Sequence, residues 1–147
     1  MTTENNKATI LRLIEEGWNQ GKVVVFDELC AFDWIHHDPN QPHVRTLEDY
    51  KHYVTERRRA FPDLHLRMED MIAVGDQVIL RWMWHGTHTG DLLTPMMRLP
   101  ATGKQVTVTG ITIFRMAFGK VVETWNQSDR LGMYQQLGLI PVPQPVG

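Results

Sequence analysis

The sequence is short of several things, and each shortage removes a class of protein. Cys30 is the only cysteine, so no disulfide forms within the chain and a cysteine-based structural zinc site is excluded. No apolar run approaches the roughly 20 residues that a membrane helix requires, and Met1 to Lys7 lacks the apolar stretch of a signal peptide. The expectation is a cytoplasmic protein in a reducing interior, with no membrane partner. Charge of one sign is also lacking. Fifteen Lys and Arg against 17 Asp and Glu give a formal net charge of −2, which offers no electrostatic reason to bind nucleic acid or an anionic surface. The one dense basic run, Arg57-Arg58-Arg59, falls in a helical pattern and reads as a solvated helix face. No Ser-His-Asp order, phosphate-cradling glycine loop or nucleophilic cysteine environment is visible.

What is present fits one globular core. The chain has 147 residues, 42% apolar and 22% charged, close to the average for a folded domain. We read residues 1–147 as one domain, with an ordered core over about 4–139 and a loose proline-rich tail over 141–147. Leu11, Ile14 and Trp18 recur at helical spacing from about Glu4 to Gln20, where Asn19-Gln20-Gly21 stops the pattern. Val23 to Ala31 suggests a second, shorter helix, and Pro39 and Pro42 mark an irregular loop. Thr46, with Asp49 three residues on, caps a third helix that Phe61-Pro62 ends.

After Pro62 the pattern turns to β-rich segments. Leu64 to Val74, Gln77 to Thr87, Lys104 to Phe118 and Lys120 to Asp129 read as four strands, with Gly75-Asp76 and Gly119-Lys120 as hairpin turns. A loop from Gly90 to Gly103 separates the second and third, and a short helix around Leu131 to Leu137 stops at Gly138. Helices first and meander strands afterwards predict an α+β domain with helices on one face of a curved, mainly antiparallel sheet. Both strand faces carry bulky groups. The second face therefore needs a cover of its own, and a second subunit is expected to supply it.

Period-2 alternation sorts the candidate chemistry. Val78, Leu80, Trp82 and Trp84 share one face, opposite Ile79, Arg81, Met83 and His85; Glu123, Trp125, Gln127 and Asp129 alternate with Thr124, Asn126 and Ser128. His36, His37 and Asp38 form the densest ionisable cluster. Adjacent residues of an extended segment diverge, so a shared metal ion is not expected. Asp129 ends an uncharged run that contains Trp125. Beside apolar walls its charged form is disfavoured, which raises its pKa toward a value useful for proton transfer. It is equally placed to be the N-cap of the last helix. Trp82, Trp84 and Trp125 are candidate apolar walls.

Gly86-Thr87-His88-Thr89-Gly90, Pro100-Ala101-Thr102-Gly103-Lys104, Gly119-Lys120-Val121-Val122-Glu123-Thr124-Trp125, Asp129 and Gln135-Gln136-Leu137-Gly138 together resemble the SnoaL-like polyketide cyclase or ester cyclase family. His37-Asp38-Pro39 and Phe61-Pro62-Asp63 extend the likeness, which covers nearly the whole chain in order. The resemblance implies the cone-shaped α+β barrel of the nuclear transport factor 2-like superfamily, assembled as a homodimer or tetramer through the sheet. It implies intramolecular aldol condensation, or a related isomerisation, of a small hydrophobic carbonyl compound without metal or cofactor. It also implies Asp129 as acid/base, with His88 and His37 orienting substrate or hydrogen-bonding the acid. Relatives often follow the tryptophan with an acidic residue, whereas Asn126 follows Trp125 here. A non-catalytic module that binds a small hydrophobic ligand, and a hydrolase or dehydratase on the same fold, are the alternatives.

Overall fold

A computed structural model describes residues 2–146. Helix α1, Thr3–Arg12, starts where the Thr2 hydroxyl accepts from the Asn5 N–H, satisfying one donor the first turn cannot. It runs on into a π-helical segment, Leu13–Asn19, that buries Leu13, Ile14 and Trp18. The regular helix expected through Gln20 is thus replaced from Leu13 onward by wider turns. Helix α2 is only Val25–Leu29. Cys30 is already extended and opens strand β1, Cys30–His37, where aromatic and β-branched residues favour a pleated, half-buried surface. That strand was not anticipated. Helix α3, Leu47–Ala60, carries the predicted capping box, with the Asp49 carboxylate accepting from the Thr46 N–H and the Thr46 hydroxyl accepting from the Asp49 N–H, each at 3.2 Å.

The strands after Pro62 fall almost where alternation placed them. They are β2, His65–Val74, and β3, Gln77–Thr87, then a small hairpin of β4, Leu92–Leu93, and β5, Arg98–Leu99, and finally β6, Gln105–Ala117, and β7, Lys120–Ser128. Gly75, with φ 57°, opens the first tight turn. The second turn is Phe118-Gly119 rather than Gly119-Lys120. Both residues have positive φ, 53° and 77°, as a type I′ hairpin requires, and Lys120 is the first residue of β7. Helix α4, Arg130–Gln136, closes the ordered elements.

The main sheet has the order β1-β7-β6-β3-β2. β1 runs parallel to β7, and the other pairs are antiparallel. Register shifts between Met68 and Asp70, and between Arg115 and Met116, are bulges of the kind that bend a sheet. The helices pack on its concave face, and nearly all the buried apolar side chains form one cluster from Ile10 to Leu137. Arg57 corrects the reading of the basic run: it is 7% exposed, because its position on α3 faces the sheet and not the solvent. Among the described residues no helix is long and apolar enough to cross a membrane.

Candidate active site

Alternation along the strands builds a pocket between the concave sheet face and the helices. β3 turns Leu80, Trp82 and Trp84 inward, and β6 adds Val108, Thr112 and Phe114. Gly110 lies opposite Trp82 in register, and any Cβ there would fall 2.2 Å from the Trp82 indole. The glycine is the space in which that ring lies. Leu13, Ile14 and Trp18 close the pocket from the π-helical segment, and Tyr50 and Tyr53 from α3.

A row of hydrogen bonds crosses this apolar wall through three strands to the residue that follows β1. Trp82 Nε1–H donates to Thr112 Oγ1 at 2.9 Å, and the Thr112 hydroxyl donates to Asn126 Oδ1 at 2.6 Å. Asn126 Nδ2–H donates in turn to Asp38 Oδ2 at 2.9 Å. The other Asp38 oxygen accepts from the Asn40 N–H at 2.9 Å. Asp38 stands just past the end of β1 with its side chain 2% exposed, and it is the only carboxylate that lines the pocket among the described residues. Two N–H donors make its burial tolerable while leaving lone pairs free.

His36 lies beside it, with Nδ1 2.6 Å from Thr124 Oγ1 and Nε2 3.9 Å from Asp38 Oδ2. The second separation is too long for a hydrogen bond. Burial outweighs the attraction of Asp38 and pushes the imidazole down to about 4, so it is neutral at physiological pH. Trp34 stacks on it with ring centroids 5.3 Å apart. Burial also raises the Tyr50 phenol above its usual range. Tyr50 Oη accepts from Trp18 Nε1–H at 2.9 Å, and its own proton has no acceptor among the described residues. The Cys30 thiol, also in the lining, is pushed up to about 12 by burial and stays protonated.

The residues singled out from sequence divide between this pocket and other places. Trp82, Trp84 and Asn126 line it. Trp125 does not, contrary to its reading as an apolar wall. Its position on β7 puts it on the outer face, 37% exposed, where it stacks on His37 at 5.4 Å. His37 also faces outward, with Nε2 2.7 Å from Glu123 Oε2. Asp129 is exposed and outside the pocket lining. Its Oδ1 accepts from the Gly132 N–H at 2.9 Å, making it the N-cap of α4. His88 is fully buried beside Phe61, away from the pocket lining. Its Nδ1 accepts from the Thr102 N–H at 3.2 Å, and the surrounding burial lowers its pKa. Together these contacts fix the ends of the loop between β3 and β6.

Asp38, Tyr50 and Tyr53 were passed over as site residues. The signal for Asp38 was available, since Trp34, His36 and Asp38 share one parity and the first is a large apolar residue. Among the described residues no group of three or more His, Cys, Asp and Glu is arranged to hold a metal ion. His36 and His37 diverge to opposite faces, as adjacent strand residues must.

Comparison with known proteins places this geometry. The model of the SnoaL-like polyketide cyclase family matches residues 8–137. Aklanonic acid methyl ester cyclase DnrD of Streptomyces peucetius is 28% identical, over 94% of this chain and 94% of its own length. Among solved structures, a SnoaL-like protein of Jannaschia sp. CCS1 superposes with a TM-score of 0.81 at 27% identity, covering 94% of each chain. AclR of Streptomyces galilaeus, to which a hydroxylase role is ascribed, gives 0.82 at 26% identity over 97% of this chain and 87% of its own.

Proposed function

Because the chain belongs to the SnoaL-like polyketide cyclase family, we propose that its pocket closes a ring in an apolar polycarbonyl substrate by intramolecular aldol chemistry, with Asp38 as the acid/base. The Asp38 carboxylate takes a proton from a carbon next to one carbonyl. The enolate carbon then bonds to a second carbonyl carbon of the same molecule, and the alkoxide so formed takes a proton back from Asp38. Tyr50 donates its free O–H to the carbonyl oxygen on which negative charge develops. Trp34, Trp82 and Trp84 exclude water around the reacting atoms.

The observation that carries this reading is the burial of a lone carboxylate among aromatic walls, held at both oxygens by N–H donors. The neighbouring His36, held neutral, places no cation beside the carboxylate. Aklanonic acid methyl ester, the compound in the name of DnrD, and the corresponding free acid are the first substrates to assay side by side. Asp38→Asn is expected to lower turnover about 10²- to 10⁴-fold with an unchanged circular dichroism spectrum, while Asp129→Asn retains it. Wild-type turnover in folded Asp38→Asn, or its loss in Asp129→Asn instead, would return the acid/base role to the helix cap. Asn126 favours one second reading. It supplies an amide where relatives often carry an acid, which suits a binding module with saturable ligand binding and no turnover.

For assembly we propose a homodimer through the outer face of the sheet. His37, Trp125, Ile113, Ile79 and Ile72 are register neighbours across all five strands, and Ile72 is 54% exposed. Its four apolar members, Trp125, Ile113, Ile79 and Ile72, support an interface. Light scattering at micromolar concentration is expected to give twice the chain mass, and the chain mass for Ile113→Asp. A monomeric wild type removes the proposal.

A further inference from the structure

Arg57 lines the pocket from α3 and takes no part in the chemistry above. Its guanidinium offers five N–H donors in a planar fork. Nη1 donates to the thioether of Met133 at 3.3 Å, a weak acceptor, and the group lies 5.1 Å from the centroid of the Tyr53 ring. Among the described residues no carboxylate pairs with it, and the one oxygen near enough to act on it is the neutral phenol of Tyr53. Its sequence neighbours are satisfied: Arg58 donates to the carbonyls of Trp18 and Leu64 at 2.9 and 3.1 Å, and Arg59 pairs with Glu56 at 2.7 Å. Of three consecutive arginines, the buried one is left without an anion. Desolvating an unpaired cation is costly, and an anion delivered to it removes that cost.

The rest of the pocket strengthens the imbalance. Arg130 is a second cation in the lining, one turn before Met133 on α4 and so on the same side of that helix; its Nη1 donates to the Asn40 carbonyl at 2.8 Å. Asp38 is the one anion, already engaged by Asn40 and Asn126. With His36 neutral, two cations face one carboxylate.

We infer that the ligand of this pocket is itself an anion, an apolar carbonyl compound bearing a carboxylate that Arg57 grips with two parallel N–H···O bonds. The inference rests on reading this pocket as the substrate site. A carboxylate matches the guanidinium fork in shape and supplies the acceptors the protein withholds. The aromatic walls accept the remainder of the molecule.

The experiment is a calorimetric titration of the full chain at neutral pH with 2-naphthoate and with methyl 2-naphthoate, which share a ring system and differ in charge. The acid is expected to bind at least about tenfold more tightly than the ester, a ratio within reach of charge-assisted hydrogen bonds. Arg57→Met abolishes the preference, Arg57→Lys keeps part of it, and Arg130→Gln keeps most of it. Should Arg57→Met fail to fold, the Arg57 Nε–H resonance of the wild type gives the same answer, moving with the acid and not with the ester. Equal affinity for the two compounds, no saturable binding of the acid, or a preference that follows Arg130 instead would overturn the inference. Asp38→Asn separates it from the proposed chemistry, because that variant is expected to keep the acid preference whether or not turnover depends on Asp38.

Discussion

Trp82, Thr112, Asn126 and Asp38 cross the inner face of the sheet as one hydrogen-bonded row, while Ile72, Ile79, Ile113 and Trp125 cross its outer face as side-by-side apolar neighbours. The polar row is the buried one and the apolar row is the more exposed. This inverts the usual partition, in which polar groups stay wet. The inner polar groups tolerate burial because each strand presents a donor to an acceptor on the next, so no pole of Thr112 or Asn126 is left idle. Adjacent residues end in opposite worlds: His36 is inside and His37 outside, Asn126 inside and Trp125 outside.

Truncation tests that comparison most severely. Trp82→Ala is expected to cost about 3–5 kcal/mol, since it opens a cavity in the wall and leaves Thr112 without its donor. Trp125→Ala on the outer face costs the single chain under about 1 kcal/mol, read in the monomeric Ile113→Asp background. Urea unfolding curves measure both, and equal losses would erase the distinction between the faces. Next in size is the pH response of His36. In the unfolded chain an imidazole titrates near 6.5, whereas burial holds it down to about 4 in the folded protein. The unfolded chain therefore takes up the proton first. Stability is fully present above pH 6.5 and declines as pH falls from there to about 4, by about 3 kcal/mol in all. His36→Asn should flatten that decline, and an unchanged slope would mean that other groups produce it. Asp129→Ala removes the cap of α4 and is expected to cost about 1 kcal/mol, readable as a small drop in Tm. The smallest effect is a gain. Phe118→Asn relieves a left-handed aromatic residue at the β6–β7 turn and creates the Asn-Gly pair that type I′ turns favour, adding about 0.5–1 kcal/mol; a lower Tm would show that the exposed Phe118 ring has a partner.

Much of the fold was legible because it is written in local signals. The capping box at Thr46 and Asp49, Gly75 in its turn, and the alternation of β3 and β7 depend on residues a few positions apart. β1 was not legible. Cys30 to His37 follows a helical turn with no breaker, and among the described residues its only sheet partner is the distant β7, so no neighbouring hairpin marks it. The same gap hid the site. Without β1 as a strand of the sheet, His36, His37 and Asp38 formed an extended segment assigned to neither face, and Asp129 was the more conspicuous acid. Asp129 in turn satisfied two descriptions at once, and its hydrogen bond to Gly132 shows the capping one in place. Arg57 escaped notice because a run of three arginines reads as solvated until the helix is docked and its inward face is known.

The pairing of β1 with β7 also governs when the pocket comes into being. The contacts His36–Thr124 and Asp38–Asn126 each join residues 88 positions apart, whereas the β2–β3 hairpin joins neighbours through a two-residue turn. Closing so long a loop costs chain entropy that no local contact repays, and contacts of this range form slowly. On a chain emerging from synthesis, the first half of the site waits for the second. Asp38 acquires its Asn126 donor only after residues through β7 have been made, so the carboxylate is among the last groups to be shut away from water.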